Sequence, residues 1–227
     1  MNISAFFPAH NEEGNIAELT KKALYVLNEI CDEYEVIIVN DGSKDRTLEE
    51  AKKLAEIDGH VRVVNHEVNR GYGAAVKSGF ASAKYEWVFF TDGDGQFDVN
   101  EIKKLTELAG EYDVIAGYRI NRQDPFHRKL NAKMWSTLVN ILFRLGIRDV
   151  DCAFKLLKKE ILDKNTLEAD GAMISTELLA KAKKGGYKIG EVGVHHYPRK
   201  AGEQSGAKLK VIIKAFAELF RLYKKLK

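Results

Sequence analysis

Short apolar runs alternate with longer amphipathic stretches through the first half of the chain. The runs ISAFF (3–7), EVIIV (35–39), VRVVN (61–65), EWVFF (86–90) and DVIAG (113–117) are rich in β-branched and aromatic residues and end in Gly-, Asn- or Asp-containing segments. Between them, residues 13–30, 46–57, 72–84 and 99–109 place apolar side chains at helical spacing. This alternation predicts right-handed βαβ units and an α/β fold built on a mostly parallel, Rossmann-like sheet flanked by helices.

The second half has a different rhythm. A basic segment, GYRINRQDPFHRK, leads into a helical pattern at 128–145. It is followed by RDVDCAFKLLKKEIL, a helix near 172–184, the stretch YKIGEVGVHHYPRKAGEQSG, and a last helix over 207–227. No Pro/Ser-rich linker and no internal repeat divides the chain, so 1–227 reads as one domain.

Composition narrows the class. With 227 residues, 45% hydrophobic and 30% charged, the chain can bury a substantial core and is not of the disordered type. A net charge of +3 gives no case for nucleic acid as a partner. The two cysteines, Cys31 and Cys152, lie far apart outside any CxxC pattern, which fits a reduced, cytosolic setting. No apolar stretch approaches the roughly 18 residues of a membrane span, so membrane contact is expected to be peripheral.

In open α/β sheets, ligands sit beyond the carboxyl ends of the strands. Four successive strand ends here lead into polar, Gly-containing, acid-rich loops: PAHNEEGN, NDGSKDRT, HEVNRGYGAAVKSG and TDGDGQFD. In the last of these, Asp92, Asp94, Gln96 and Asp98 recur at every second position. A solvated turn explains one such acid. Two carboxylates one residue apart also suit a hard divalent cation that keeps open positions for phosphate oxygens. An EF-hand loop is excluded, because its twelfth position, counted from Asp92, is Lys103. In NDGSKDRT, Asp45 or Ser43 suits a cap for the helix that follows, whereas Asp41 fits a turn and a nucleobase contact equally. RGYGAAVKSG lacks the third glycine of a dinucleotide fingerprint, and Gly71 and Gly73 fit better as a close approach of a helix to a ligand or to the sheet.

The order Pro8, Asn11-Glu12, NDGS.D.T, NRGYGAA…G and DGDGQ resembles the inverting family-2 glycosyltransferases, and among them the dolichyl- and polyprenyl-phosphate sugar synthases. The resemblance covers essentially the whole chain. It implies an A-type glycosyltransferase fold, with a nucleotide-sugar-binding half (1–118), an acceptor half (119–206) and a basic amphipathic C-terminal helix (207–227). It also implies that Pro8, Asn11, Glu12, Asp41, Ser43, Gly71, Ala74 and Asp92 line the nucleotide pocket. Asp92, Asp94 and Gln96 are then the holders of Mg²⁺ or Mn²⁺, and Asp94, Arg119 and Asp151 the catalytic set.

The acceptor side carries cations. A lipid monophosphate is already anionic at neutral pH and needs positive charge for positioning more than it needs a base. Residues 119–133 supply Arg119, Arg122, Arg128, Lys129 and Lys133 against Asp124. YPRKAGEQSGAK adds Arg199, Lys200 and Ser205, and resembles the family's Arg…Gly…Ser loop. Arg119, Arg122, Arg199 and Ser205 are thus the expected acceptor-phosphate contacts. Asp151 fits a base, an orienting group or a turn acid, with Ala153 standing where many relatives have Gly. His195 and His196, adjacent on a strand, point to opposite faces.

Two helices carry apolar stripes. One holds Met134, Trp135, Leu138, Val139, Ile141, Leu142 and Leu145; the other Leu209, Ile213, Phe216, Phe220 and Tyr223. Each stripe fits packing on the core or on a second subunit as well as contact with a lipid; the latter helix sets seven Lys/Arg against Glu218, the pattern of a helix lying on a membrane surface. The expected activity is inverting transfer of a hexose from a nucleotide-sugar to a polyprenyl or dolichyl phosphate at the cytosolic membrane face. Transfer to a sugar or protein hydroxyl, and an inactive nucleotide-binding module, are the alternatives.

Overall fold

The computed structural model describes residues 1–120, 126–199 and 209–227, the side chains of 126–128 and 209–214 excepted. The chain runs β1 (Asn2–Ala9), α1 (Ile16–Ile30), β2 (Glu33–Asp41), α2 (Thr47–Ile57), β3 (Val61–His66), α3 (Tyr72–Ser82) and β4 (Trp87–Thr91). A 3₁₀ turn (Val99–Glu101) then leads into α4 (Ile102–Thr106), β5 (Val114–Ile120) and α5 (Phe126–Phe143). The remainder is β6 (Phe154–Lys158), α6 (Lys159–Lys164), α7 (Met173–Lys184), β7 (Ile189–His195) and α8 (Leu209–Leu226). Among the described residues the strands form one seven-stranded sheet in the order β3-β2-β1-β4-β6-β5-β7.

The first four expected strands pair in parallel, β2 with β3 and β1 with both β2 and β4. Val36, Ile37, Ile38 and Val39 of β2 are all fully buried. A parallel sheet is covered on both faces, so its central strands read as continuous apolar runs. Phe6 of β1 lies opposite Phe90 of β4, their rings stacked at 5.5 Å, and Phe80 of α3 meets both edge-on at 5.0 and 5.3 Å. Gly79 makes this possible: a Cβ there would lie 2.2 Å from the Phe6 ring.

Three features depart from the sequence pattern. β6, which the pattern does not mark, runs antiparallel to both β4 and β5 and inserts between them. Lysines at 155 and 158 hide this strand from a hydrophobicity pattern, although Phe154, Lys155, Leu156 and Leu157 are all fully buried. β5 extends to Ile120, so Arg119 lies within a strand rather than after one. The helix expected over 99–109 is the short 3₁₀ turn plus α4; the segment beyond it is a series of turns in which Glu111 and Tyr112 donate backbone hydrogen bonds to Leu108.

In α8 the stripe that packs inward is Leu219 and Leu222, both buried, while Phe216 and Phe220 are exposed. In α5, Val139 is buried, and Trp135, Leu138 and Leu142 pack against the core from partly buried positions. Met134 and Ile141 of α5 face outward. The two helices meet through Trp135–Phe216 at 5.4 Å and Phe143–Tyr223 at 5.9 Å. Among the described residues no helix is long and apolar enough to cross a membrane.

Candidate active site

The loops after β1 and β2 are knitted by side chains taking backbone amides. Asn11, a non-glycine residue at φ +58°, donates its amide to Ser43 Oγ at 3.0 Å, and its Oδ1 accepts Lys44 N at 2.8 Å. Glu12 N donates to Thr47 Oγ1 at 2.7 Å, and Glu13 N to Asp45 Oδ2 at 3.1 Å. Asp45 Oδ1 accepts the amide of Thr47, the first residue of α2. The expected turn acids therefore fasten one loop to the next.

Asp41, at the end of β2, is 5% exposed in its side chain. Its Oδ1 accepts Arg70 N at 2.8 Å and contacts His66 Nδ1 at 2.7 Å; its Oδ2 accepts Gly71 N at 2.9 Å. In this conformation Asp41 shapes the β3–α3 loop. Gly71, at φ +92°, starts α3, and Ala74 lies half-buried one turn on. Gly73 packs against the segment around Asp170: its amide donates to Asp170 O, and a Cβ there would lie 2.4 Å from the Asp170 carbonyl carbon.

The DGDGQ loop crosses the end of β1. Gly93 N donates to Pro8 O at 3.1 Å, and a Cβ at Gly93 would come within 2.9 Å of that oxygen. Asp92 Oδ1 is buried with no hydrogen-bond partner among the described residues. Burial, reinforced by the neighbouring Asp94 charge, pushes the Asp92 carboxyl up to about 7, against the pull of Tyr72, Arg119 and Lys155. Asp94 Oδ1 accepts Gln96 N at 3.0 Å, while Oδ2 lies 3.2 Å from Arg199 Nη2. The same nitrogen donates to Glu12 Oε1 at 2.8 Å. One guanidinium thus bridges acids from the β1 and β4 loops, and burial raises the Glu12 carboxyl pKa despite it.

Gln96 anchors the segment that carries this arginine. Its Nε2 donates to Tyr197 O at 2.9 Å, its carbonyl accepts Tyr197 N at 2.8 Å, and Phe97 forms a β-bridge with His196. The adjacent histidines diverge: His195 Nδ1 contacts Glu101 Oε1 at 2.8 Å, and the His196 ring lies on Phe97 at 5.0 Å.

Arg119 engages Asp149 in a two-pronged pair, Nε to Oδ2 at 2.7 Å and Nη2 to Oδ1 at 2.8 Å. Burial opposes the Arg119 charge, but the Asp149 pairing outweighs it and the group is held firmly cationic. Asp151, two residues on, is raised to about 6 by burial and then by Asp149, with Arg119, Lys155 and the Trp135 indole pulling the other way. A cavity of about 360 Å³ opens beside this pair, and its lining includes Arg119, Lys129, Lys133, Ser136, Arg148 and Asp149.

Residues 4–166 match the profile described as Glycosyl transferase family 2, in one continuous stretch from β1 into α6. The chain belongs to this family. The loops after β1 to β4, including DGDGQ, and the Arg119–Asp149 pair are therefore parts of a family-2 domain. The chain is 32% identical over 164 residues to an undecaprenyl-phosphate 4-deoxy-4-formamido-L-arabinose transferase of Aeromonas hydrophila, covering 71% of this chain and 50% of that protein. It is 27% identical over 209 residues to the glycosyltransferase AglD of Haloferax volcanii, covering 88% of this chain and 34% of that one. The chain thus spans half or less of the length of these two relatives. Glucosyl-3-phosphoglycerate synthase from Mycobacterium tuberculosis, solved with Mn²⁺, UDP and phosphoglyceric acid, superposes with a TM-score of 0.75 at 18% identity, covering 99% of this chain and 78% of that one. S. aureus TarS 1-349 superposes at 0.69 with 20% identity, covering 100% and 65%. The fold of this family-2 chain is the A-type glycosyltransferase fold that the family resemblance implies.

Of the residues singled out by sequence, the structure gathers Glu12, Asp94 and Arg199 in one cluster, with Asp92 beside Asp94. Arg119 lies near enough to influence both Asp92 and Asp151. Arg122 and Ser205 lie outside the described residues. Sequence reasoning passed over Tyr72, Arg148 and Lys155. The last carried a readable signal, a lysine inside the apolar run AFKLL.

A divalent ion suits the donor set. Asp92 brings a buried oxygen with no partner among the described residues, and Asp94 brings one already facing a cation. Among the described residues no cluster of three or more His, Cys, Asp or Glu is placed to hold a metal unaided. That fits an ion of the magnesium type, which takes one or two carboxylates and completes its shell with phosphate oxygens and water.

Proposed function

We propose that this family-2 domain transfers a hexose, with inversion, from a nucleotide-sugar to a polyprenyl or dolichyl phosphate at the cytosolic face of a membrane. The observation that carries the reading is the cation-lined cavity beside the Arg119–Asp149 pair, where Arg119, Lys129, Lys133 and Arg148 face one carboxylate, Asp149. Such a lining suits an acceptor that arrives as a phosphate, because arginine offers a planar fork to phosphate oxygens and lysine a point charge.

In this reading the donor half, 1–118, binds the nucleotide between the loops after β1 to β4, with Asp41 setting the shape of the pocket. Asp92 and Asp94 would hold Mg²⁺ or Mn²⁺, with Gln96 fixing the loop, and a bound ion would supply charge neutralisation for the departing nucleoside diphosphate. A phosphate oxygen of the acceptor, held by Arg119 and its neighbours, attacks the anomeric carbon. The bond from that carbon to the diphosphate breaks, and its electron pair leaves with the nucleoside diphosphate. No proton has to be removed from an ionised phosphate, so cations rather than a base dominate this side. Outward-facing Leu130, Met134, Ile141, Phe216 and Phe220 on α5 and α8, with Lys133, Arg221 and Lys224 near them, support an approach to a lipid surface. The names of the bacterial relatives, undecaprenyl-phosphate sugar transferases, favour the same acceptor class.

One observation favours a second reading. Asp151, raised to about 6, is ionised at neutral pH and has the environment of a general base, which a hydroxyl acceptor would require.

The deciding experiment incubates the protein with labelled UDP-glucose or GDP-mannose, Mg²⁺ or Mn²⁺, and undecaprenyl or dolichyl phosphate, then extracts into organic solvent. Label in the organic phase, abolished by Asp94→Ala, is the expected result. Absence of organic-phase label with every donor, alongside transfer to a sugar hydroxyl, would establish the second reading.

A further inference from the structure

We infer that Lys155 is a positioning residue for the acceptor side of the site: from inside the sheet it clamps the turn that presents Asp149 and Asp151. The inference rests on the transfer reading above. Lys155 sits in β6, opposite Phe90 of β4 and Ala116 of β5, and has no exposed surface. Its Nζ donates to Val150 O at 3.1 Å and also to Cys152 O. These two carbonyls flank Asp151 on either side. The turn is tied further by Cys152 N to Asp149 O at 3.3 Å and Val150 N to Ser136 Oγ at 3.4 Å.

A strand needing only to fill the core would place leucine or methionine here, since burying an ammonium is costly unless it is compensated. The neighbourhood supplies the compensation. Burial lowers the Lys155 pKa, while Cys152, Asp149 and Asp151 raise it and Arg119 lowers it again. Charges alternate across the site, from Lys155 to Asp151 and Asp149 and on to Arg119. The clamp therefore controls two things at once: where Asp149 holds the Arg119 fork, and the charge felt by Asp151. Facing Asp151 are Asp149 and Cys152 from its own turn, Arg119 from β5, Lys155 from β6, Trp135 from α5 and Tyr72 from α3. Asp92 lies beyond Tyr72 at the end of β4.

The test compares Lys155→Met with wild type in the organic-phase transfer assay as a function of pH. With one of its cations gone, Asp151 holds its proton to higher pH, and because that proton removes an anion from the charges acting on Arg119, the acid limb of kcat moves up by about one unit. KM for the lipid phosphate rises about tenfold as Arg119 loosens, whereas the affinity for the metal-bound nucleoside diphosphate stays within about twofold. The acceptor phosphate titrates in the same range. Asp151→Asn separates the two: the limb that persists belongs to the substrate, and adding Lys155→Met must not move it. A merely structural lysine would lower the melting temperature and leave the limb in place, which overturns the assignment. Should Lys155→Met not fold, Lys155→Gln keeps one donor for the turn and loses the charge, with the same shift expected. If neither folds, the ¹³Cε resonance of Lys155 decides, because its titration must move to lower pH in Asp151→Asn and an unmoved midpoint refutes the coupling. A wild type that gives no lipid product defeats the transfer reading. A productive wild type whose limb is indifferent to Lys155 defeats only this inference.

Discussion

Asp41 and Asp149 are both buried carboxylates that settle an arginine-containing segment, yet they are satisfied in different ways. Asp41 takes the backbone amides of Arg70 and Gly71 and contacts the His66 ring. Asp149 takes the side-chain fork of Arg119. The first arrangement fixes a loop by main-chain geometry and leaves the arginine side chain out of the bond. The second stores a full positive charge beside a cavity. On the donor side, carboxylates and hydroxyls take amides from neighbouring loops, so the pocket is shaped before any ligand arrives. Around Arg119 and Asp149, formal charges are set against one another inside the sheet. The two parts of a single sheet thus settle their buried acids differently, one through backbone amides and hydroxyls, the other through opposed formal charges.

Breaking the Arg119–Asp149 pair from one end gives the largest expected effect. Asp149→Ala leaves a buried guanidinium without its two-pronged partner, which costs about 3–5 kcal/mol of stability when one member of a buried pair is removed. Arg119→Met added to Asp149→Ala removes the stranded charge and recovers a large part of that loss. Urea unfolding midpoints of the two variants check this. Equal midpoints for single and double variants would show that the pair is not the organising contact of the acceptor side.

The donor side breaks differently, by shape. In Gly79→Ala the new methyl meets the Phe6 ring at 2.2 Å, inside the Phe6–Phe80–Phe90 cluster. Overpacking of this kind typically costs about 1–3 kcal/mol. The expected result is a lower thermal midpoint with the pH dependence of transfer unchanged, because no charge has moved. A shift in that pH profile would mean that packing and charge are not separable between the two sides.

The same contrast decides what could be read from the sequence. The donor side was legible because its strands are buried on both faces and appear as unbroken apolar runs, and because its loops put acids and glycines at strand ends. Even there, the glycine at 73 was legible only as a close approach. That it meets the segment around Asp170, 97 residues further along the chain, depends on tertiary contact alone. The acceptor side resisted for a physical reason. Its inserted strand β6 buries a lysine, and an ion-paired interior has no hydrophobic period to detect. Arg119 and the acids at 149 and 151 were recognisable as candidates, whereas the pairing of Arg119 with Asp149 and the supporting role of Lys155 follow only from the tertiary structure, in which β6 lies between β4 and β5. In α8 the basic and apolar faces were legible, but the apolar surface divides into an inward pair, Leu219 and Leu222, and an outward pair, Phe216 and Phe220. Helical spacing alone does not say which pair meets the core.

That division gives the smallest expected effect on folding. Phe216 and Phe220 are 40% and 50% exposed, and Phe216 also touches the Trp135 ring at 5.4 Å. Phe216→Ser with Phe220→Ser removes apolar area that the folded protein already leaves half in water, so the unfolding midpoint should change by only about 0.5 kcal/mol per site. The same area is what a lipid interface would cover, and burying a phenylalanine side chain is worth about 1.5–3 kcal/mol. Half-exposed rings deliver part of that, which corresponds to a loss of about tenfold in binding to vesicles containing anionic lipid, measured by co-sedimentation. Arg221→Ala in the same helix should weaken vesicle binding in a salt-dependent way, while the serine pair weakens it at every ionic strength. If the serine pair instead destabilises the fold by more than about 2 kcal/mol and leaves vesicle binding intact, these rings belong to the core and the acceptor approaches from another face.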